Sequence, residues 1–284
     1  MEFQISLFEQ RDLGKAMLFK NEEGWNQTQK DWELFLKENP DSCLVAKSGM
    51  ETIATVTAYN YQNRLAWIGM MLVDKNYRGR GISKALMKAI IQKLKACNTI
   101  KLDATPAGRH VYEKLGFEKE YSLFRMIKKT REGEHWADLL YSVDRVLEKD
   151  LPAIFEWDKK VFGADRSALI QYLFHNFPEG SFKLLNDDIL KGFLFCRKGT
   201  RYLQLGPMVA ENDEMAKSLL TRAMDSFGSR ELVLDISMER KNLIQWLVGV
   251  GFEVQRELIR MFLNHNEVKG KPSQYYLICG PEFG

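Results

Sequence analysis

The sequence predicts an α/β fold with mixed sheets, organised as two like-folded domains in tandem. An apolar run at 66–73 leads through a glycine-bearing loop into an amphipathic helix that begins at Ile82. The sequence Gly-Phe-Glu at 116–118 returns at 251–253, and each copy is followed at the same spacing by Leu-x-Arg-Met. A unit that occurs twice without low-complexity sequence between the copies indicates a duplicated domain.

Composition and charge narrow the class of protein. The 284 residues are 45% hydrophobic and 28% charged, which is typical of a globular protein with a sizeable core. A net charge of +3 is too small to indicate nucleic-acid binding by itself. No apolar run reaches the length of a membrane span, and the first residues do not form a signal peptide. We therefore expect a cytoplasmic protein that binds neither membrane nor nucleic acid.

Cysteines and histidines give no sign of a disulfide framework or a metal site. The four histidines are scattered, and no C-x-x-C pair occurs. The four cysteines are far apart and are expected to be small buried residues in a reduced cytosol: Cys43, Cys97, Cys196 and Cys279.

The elements of the first half follow from local signals. Asp12 is a helix cap, and Thr28 with Asp31 resembles a capping box for a second helix that ends at Asn39-Pro40. The predicted strands, in order, are Phe3–Leu7, Ser42–Lys47, Thr52–Tyr59, Ala66–Val73 and Thr99–Asp103. A helix after the last of these is expected to end at Gly116.

The loop before Ile82 has the features of an anion site. Gly79 and Gly81 let the backbone approach a ligand closely, and Arg78 and Arg80 add positive charge. The first amides of the following helix have no intrahelical partner, and the helix dipole favours negative charge there. The expected ligand carries phosphates.

Two common phosphate-binding motifs do not match this loop. A P-loop would need Gly-Lys-Ser/Thr, which is missing. A dinucleotide fingerprint would need a third glycine where Lys84 stands.

The pattern Arg78-x-x-Gly81-x-Ser83 resembles the acetyl-CoA pyrophosphate loop of GNAT-type (GCN5-related) N-acetyltransferases, Q/R-x-x-G-x-G/A. Ser83 departs from the usual Gly or Ala but remains small. The sequence Tyr112-Glu-Lys-Leu-Gly-Phe is similar to the end of the family helix whose tyrosine lies beside the thioester sulfur. The family often has Asn after the fifth strand, where this chain has Ala104-Thr105-Pro106. The resemblance covers residues 1–128.

The resemblance implies two tandem acyl-CoA N-acyltransferase domains and a set of site residues. Tyr112 is the expected acid that protonates the leaving thiolate. Backbone amides of 71–73 are expected to polarise the carbonyl and to pair with the pantetheine arm as an extra strand would. The expected acetyl-CoA-binding residues are Met71, Leu72, Val73, Arg78, Gly79, Arg80, Gly81, Ile82 and Ser83.

The repeat places an acetyl-CoA-binding domain at 1–130 and a degenerate GNAT-like domain at 137–284, with a boundary in Lys128–Glu134. In the second copy, Glu211, Asp213 and Glu214 stand where the first has arginines, and nothing equals Tyr112. Carboxylates there would repel a pyrophosphate, so we expect no cofactor in this copy. It either shapes the acceptor site or is a structural partner.

The ends of the repeats leave two questions of pairing. The alignment makes Leu140–Asp144 the opening strand of the second domain and leaves the first domain without an obvious closing strand after Met126. The tail Gln274–Cys279 is a strand without a counterpart in the first copy. It is expected either to complete the second sheet or to cross to the first.

The predicted function is transfer of an acetyl group from acetyl-CoA to a primary amine of a small molecule or peptide, without a metal. The attack is expected to be direct, in a ternary complex. An acetyl-CoA sensor without turnover is the alternative, and a nucleic-acid-associated protein is a third class, with steeply salt-dependent binding. The general base is open among Glu22, Glu23 and Asp31. Trp25 and Trp32 either floor a substrate pocket or fill the core.

Overall fold

The computed structural model describes residues 2–130 and 140–284. The last four residues of the predicted boundary Lys128–Glu134 lie outside these ranges. The helices are α1 Leu13–Glu22, α2 Gln29–Glu38, α3 Ile82–Lys93, α4 Pro106–Glu113, α5 Leu151–Phe162, α6 Ser167–Asn176, α7 Asp213–Phe227 and α8 Lys241–Gly249. The strands are β1 Gln4–Leu7, β2 Cys43–Ser48, β3 Glu51–Tyr61, β4 Leu65–Val73, β5 Thr99–Ala104, β6 Glu118–Lys128, β7 Val143–Arg145, β8 Ser181–Asn186, β9 Ile189–Lys198, β10 Leu203–Ala210, β11 Leu232–Ser237, β12 Glu253–Asn264 and β13 Tyr275–Leu277.

The chain forms two compact units that do not coincide with contiguous halves. The first unit contains the residues up to Glu120 together with Arg260–Glu267 and Pro281–Gly284. The second unit contains Tyr121–Ile259 and Val268–Gly280. The predicted division into 1–130 and 137–284 therefore differs from these units, because each unit takes up a segment from the end of the other repeat.

The sheet of the first unit runs in the order β1, β2, β3, β4, β5 and then the residues of β12 from Arg260 onward. The pairs β1–β2, β2–β3 and β3–β4 are antiparallel, and the pair β4–β5 is parallel. Helix α3 buries Ile82, Leu86 and Ile90, as its apolar periodicity predicts. The closing strand that the sequence left unassigned is thus supplied by the second repeat.

The sheet of the second unit runs in the order β6, β11, β13, β10, β9, β8 and β7. Strand β6, the last of the first repeat, pairs antiparallel with β11. The tail strand β13 pairs with both β10 and β11, so it completes the second sheet, one of the two predicted alternatives. The opening strand of this unit, β7, lies a few residues beyond the predicted start at Leu140.

The four cysteines are buried and free. Within residues 2–130 and 140–284, no group of three or more His, Cys, Asp or Glu side chains is arranged to hold a metal ion. In the same ranges, no helix has both the length and the apolar character that a membrane span requires.

Candidate active site

Strands β4 and β5 part within the first unit. Their parallel pairing joins Leu65–Ile68 to Thr99–Leu102 and ends there, while β4 continues to Val73. On the other side of β4, the pair Thr57–Gly69 is followed by Thr55–Leu72, so two residues of β4 stand opposite one of β3. This bulge changes the direction of the backbone that follows. The predicted amides at 71–73 therefore lie where β5 no longer pairs with β4.

The bulge is fixed at Met70, which has a positive φ of 52°. Its carbonyl accepts a hydrogen bond of 2.8 Å from the hydroxyl of Thr55. A non-glycine residue in this region of backbone conformation is strained unless its surroundings hold it. The hydrogen bond from the neighbouring strand supplies such a constraint.

The glycine loop has the backbone that its sequence predicts. Gly79 and Gly81 have φ values of 77° and 78°, and apart from the adjacent residues no atom lies within 4 Å of where a Cβ would be at either. The first intrahelical hydrogen bond of α3 runs from Ala85 N to Gly81 O, so the amides of the first turn are available to a ligand. The loop is exposed. These features fit a pyrophosphate group.

The two arginines of the loop are held by nearby groups. Arg78 donates through Nε to the carbonyl of Val73 at 3.1 Å and forms an ion pair with Glu23. Arg80 donates to the carbonyl of Asn76 at 3.2 Å and lies over the ring of Tyr77, 5.4 Å from its centroid. Glu23, one of the three candidate bases, is therefore paired with Arg78 of the glycine loop.

Tyr112 lies in the last turn of α4 and is partly buried. Its ring packs edge-on against Phe117, with the centroids 6.1 Å apart. Burial raises the pKa of its phenol to about 12, so the group keeps its proton at neutral pH. A protonated phenol can donate a hydrogen bond.

The predicted acceptor-side residues have other partners in the structure. Asp31 is buried and accepts hydrogen bonds from the backbone and hydroxyl of Thr28, which is the predicted capping box. Glu22 is exposed and lies 3.7 Å from Lys75. Trp25 is partly buried in the turn after α1, where its amide donates to Lys20. Trp32 is buried and stacks on Phe8.

Sequence reasoning missed the segment Pro281–Gly284, which lies in the first unit against β3 and β4. The indole of Trp67 donates to the carbonyl of Pro281 at 3.0 Å, and the hydroxyl of Tyr61 donates to that of Phe283 at 2.7 Å. The side chain of Gln27 donates to the carboxylate of Glu282 at 2.9 Å. The only sequence signal was that the tail had no counterpart in the first repeat.

The second unit has an equivalent gap between two parallel strands, but its own strand β13 fills the gap. The parallel pairing of β10 with β11 ends at Leu205–Leu234, as that of β4 with β5 ends at Ile68–Leu102. Beyond that point, Leu277 of β13 pairs with both Met208 and Ile236. The backbone of β13 therefore takes the position that a pantetheine arm is expected to take in the first unit.

The N-terminus of α7, the helix that follows in the second unit, is also unsuited to binding an anion. The side chain of Asn212 accepts a hydrogen bond from the amide of Met215 and so caps α7. Asp213, in the first turn, accepts a hydrogen bond of 2.8 Å from the hydroxyl of Tyr276. A capped helix end with carboxylates in its first turn does not suit a pyrophosphate.

Comparisons with known proteins give the family and the fold of the chain. Residues 10–117 match the model of the acetyltransferase (GNAT) family, and residues 154–277 match that of an acetyltransferase (GNAT) domain. The holothin acyltransferase of a Pseudoalteromonas species is 24% identical over 267 residues, which are 92% of this chain and 88% of that protein. An acetyltransferase of Pectobacterium atrosepticum is 31% identical over 122 residues, 41% of this chain and 80% of the relative.

A crystal structure from Pyrococcus horikoshii that carries an acetyltransferase assignment aligns with a TM-score of 0.82 at 25% identity, over 99% of this chain and 96% of that one. The chain therefore belongs to the GNAT acetyltransferase family. It contains two GNAT domains in tandem, and both the predicted family and the predicted fold class are confirmed.

Proposed function

We propose that the first unit transfers an acetyl group from acetyl-CoA to a primary amine of a small molecule or peptide. The amine attacks directly, in a ternary complex. The observation that carries the proposal is the contrast between the two units: β4 and β5 part beside an anion loop in the first, whereas β13 fills the equivalent gap in the second.

Acetyl-CoA supplies the activated acetyl group. The loop amides at Gly81 and the first turn of α3 bind its phosphates, and Arg78 and Arg80 add charge to the rim. The amides of Met71–Val73 pair with the pantetheine arm and polarise the carbonyl. Tyr112 donates its proton to the departing thiolate. Its pKa of about 12, raised by burial, keeps the phenol protonated before the reaction.

Two measurements on the full chain test this function. Calorimetry should give one bound acetyl-CoA per chain. Release of free thiol from acetyl-CoA should depend on an added primary amine. Two bound molecules per chain would contradict the assignment of the second unit. Binding without turnover on any acceptor would favour an acetyl-CoA sensor.

A further inference from the structure

Positive charge is concentrated in one segment of the first unit. Residues 75–102 contain eight Lys and Arg residues and no Asp or Glu. Since the whole chain carries +3 and this segment carries +8, the remaining residues carry a net charge of −5. The segment runs from the glycine loop through α3 into β5, and α3 packs on β2, β3 and β4. The basic residues therefore lie beside the proposed phosphate site.

Half of these basic residues have partners within the unit: Lys75, Arg78, Arg80 and Lys101. The other four are exposed and form no ion pair with a described residue: Lys84, Lys88, Lys93 and Lys95. We call these four the lysine surface of α3. It begins in the first turn of the helix, and Lys84 and Lys93 are about 14 Å apart along the helix axis. The unpaired positive charge thus covers the length of α3.

The lysine surface works against the stability of its own helix. Lys84 lies in the first turn of α3, where the helix dipole favours negative charge, and that turn contains no acidic residue. Lys84 and Lys88 are four positions apart, so their like charges repel each other. The corresponding helix of the second unit, α7, has Asp213 and Glu214 in its first turn, and Lys217 pairs with Glu214 at 2.6 Å. The unpaired lysines are therefore a feature of α3 and not of this helix in both repeats.

The lysine surface continues from the place where the phosphate of the acyl donor is expected. Gly81 precedes the first residue of α3, so Lys84 is within one turn of the amides proposed to bind phosphate. A phosphopantetheine arm has the same pantetheine and the same first phosphate as CoA. Beyond that phosphate, CoA continues as a nucleotide, whereas a carrier protein continues as a folded surface. A nucleotide phosphate can pair with a neighbouring lysine, but lysines spread over about 14 Å need a ligand with several separate negative charges.

We propose that the lysine surface of α3 docks an acidic carrier protein whose phosphopantetheine arm delivers the acetyl group to the first unit. Carboxylates on one helix of a carrier protein can recur at the same spacing as these lysines, which makes the two surfaces complementary in charge. An extended polyanion such as nucleic acid fits less well, because the remaining residues carry −5 and would repel it. The proposal rests on the proposed function, because it adds a second class of acyl donor to that reaction.

The chemistry is the same with either donor. The amine nitrogen forms a bond to the carbonyl carbon, and the C–S bond breaks. Sulfur takes the proton of Tyr112, and the proton that nitrogen loses returns to the phenol. The products are the acetylated amine and the carrier protein with a free thiol, so no further reactant is needed. The lysines act only on the association of donor and enzyme.

The test compares three donors on the full chain, with 1,4-diaminobutane, 2-phenylethylamine and lysine methyl ester as acceptors. The donors are acetyl-CoA, acetyl-phosphopantetheine, and an acyl carrier protein that carries acetyl-phosphopantetheine. At low salt the carrier protein should exceed the free arm in kcat/KM by about tenfold or more, and added salt should remove the difference. Lys88→Glu should raise the KM for the carrier protein by about tenfold, with kcat and the turnover of acetyl-CoA within about twofold of wild type. The control is Lys37→Glu, at an exposed lysine of α2.

A second variant, Lys95→Glu, lies beyond the last residue of α3 and should have the same selective effect. An equal loss with all three donors, or no loss with the carrier protein in either variant, would overturn the docking surface. Turnover of acetyl-CoA without turnover of the carrier protein would also overturn it and leave the proposed function standing. Binding of duplex DNA that Lys88→Glu abolishes, with the carrier protein inactive, would assign the lysines to nucleic acid instead. No turnover with any donor would overturn the proposed function itself.

Discussion

The guanidinium of Arg260 forms a two-pronged ion pair with the carboxylate of Asp103, with both N–O distances 2.9 Å. The same guanidinium lies over the ring of Trp67, 4.4 Å from its centroid. In the second unit, Arg125 and Asp235 form the equivalent pair at 2.8 and 2.7 Å. Each aspartate therefore receives its arginine from the other repeat.

Replacing Arg260 with Leu should destabilise the first unit by about 3–5 kcal/mol, because it leaves Asp103 as an uncompensated buried charge. Adding Asp103→Leu should recover most of the loss. As a control, Glu113→Gln breaks the half-exposed pair with Arg109 and should cost far less, because solvent screens that pair. Urea unfolding followed by circular dichroism measures all three, and equal losses for Arg260→Leu and the control would contradict the argument.

A fragment of residues 1–130 should bind acetyl-CoA weakly or not at all. It contains the anion loop but lacks Arg260 and the segment Pro281–Gly284, both of which belong to the first unit. Calorimetry on the fragment and on the full chain makes the comparison. Full affinity in a folded fragment would show that the exchanged segments do not matter for the cofactor site.

Gly81→Asp should abolish acetyl-CoA binding, since it places a negative charge where the pyrophosphate is expected. The matched control is Gly49→Asp, at a hairpin turn that also has a positive φ, of 59°, and free space around a Cβ. Both variants carry a similar backbone strain of about 1 kcal/mol. Only the first should lose the cofactor, as measured by calorimetry.

Tyr112→Phe should lower kcat by about 10²–10⁴-fold, with little change in the KM for acetyl-CoA, because the phenol acts mainly in the transition state. Tyr141→Phe, at a partly buried tyrosine of the second unit, is the control. Since burial raises the pKa of Tyr112 to about 12, the wild-type rate should not fall through loss of this proton below about pH 11. A variant within about threefold of wild type would leave Tyr112 a packing residue.

Asp12→Asn should destabilise the first unit at pH 7 by about 1–3 kcal/mol. Burial raises the pKa of the Asp12 carboxyl, but hydrogen bonds from Thr52 at 2.6 Å and Lys47 at 2.9 Å outweigh it, so the pKa lies below its ordinary value. The stabilisation by the Asp12 carboxylate is therefore present above its pKa in the unfolded chain, about 4. It is lost as the pH falls through the pKa of Asp12 in the folded protein. The urea midpoint of Asp12→Asn should lie below that of the wild type at pH 7, and the difference between the two proteins should shrink at pH 3. The exposed control Asp41→Asn should show no such pH-dependent difference.

Local signals in the sequence predicted the elements that local interactions determine. The apolar run and the glycine loop gave β4 and the start of α3, and the pair Thr28 and Asp31 gave the cap of α2. These features depend on residues a few positions apart, so they can be predicted from the local sequence.

The partners of the closing strands could not be predicted in the same way. The pattern of Arg260 in Leu-x-Arg-Met is the same whether it faces Asp103 or Asp235, because the two repeats carry the same residues at both positions. Alternation along a strand shows which side chains share a face, not which strand lies alongside. Glu282 had no periodic pattern around it, so its hydrogen bond with Gln27 could not be inferred.

The exchange of segments between the two repeats also determines whether the folding of the first unit depends on protein concentration. If two separate chains swapped their last strands, dilution would separate the partners. Here the completing strand is tethered to the unit that it completes, so its effective concentration is set by the connecting chain and not by the amount of protein. The first unit should therefore be equally well folded at nanomolar and at micromolar protein.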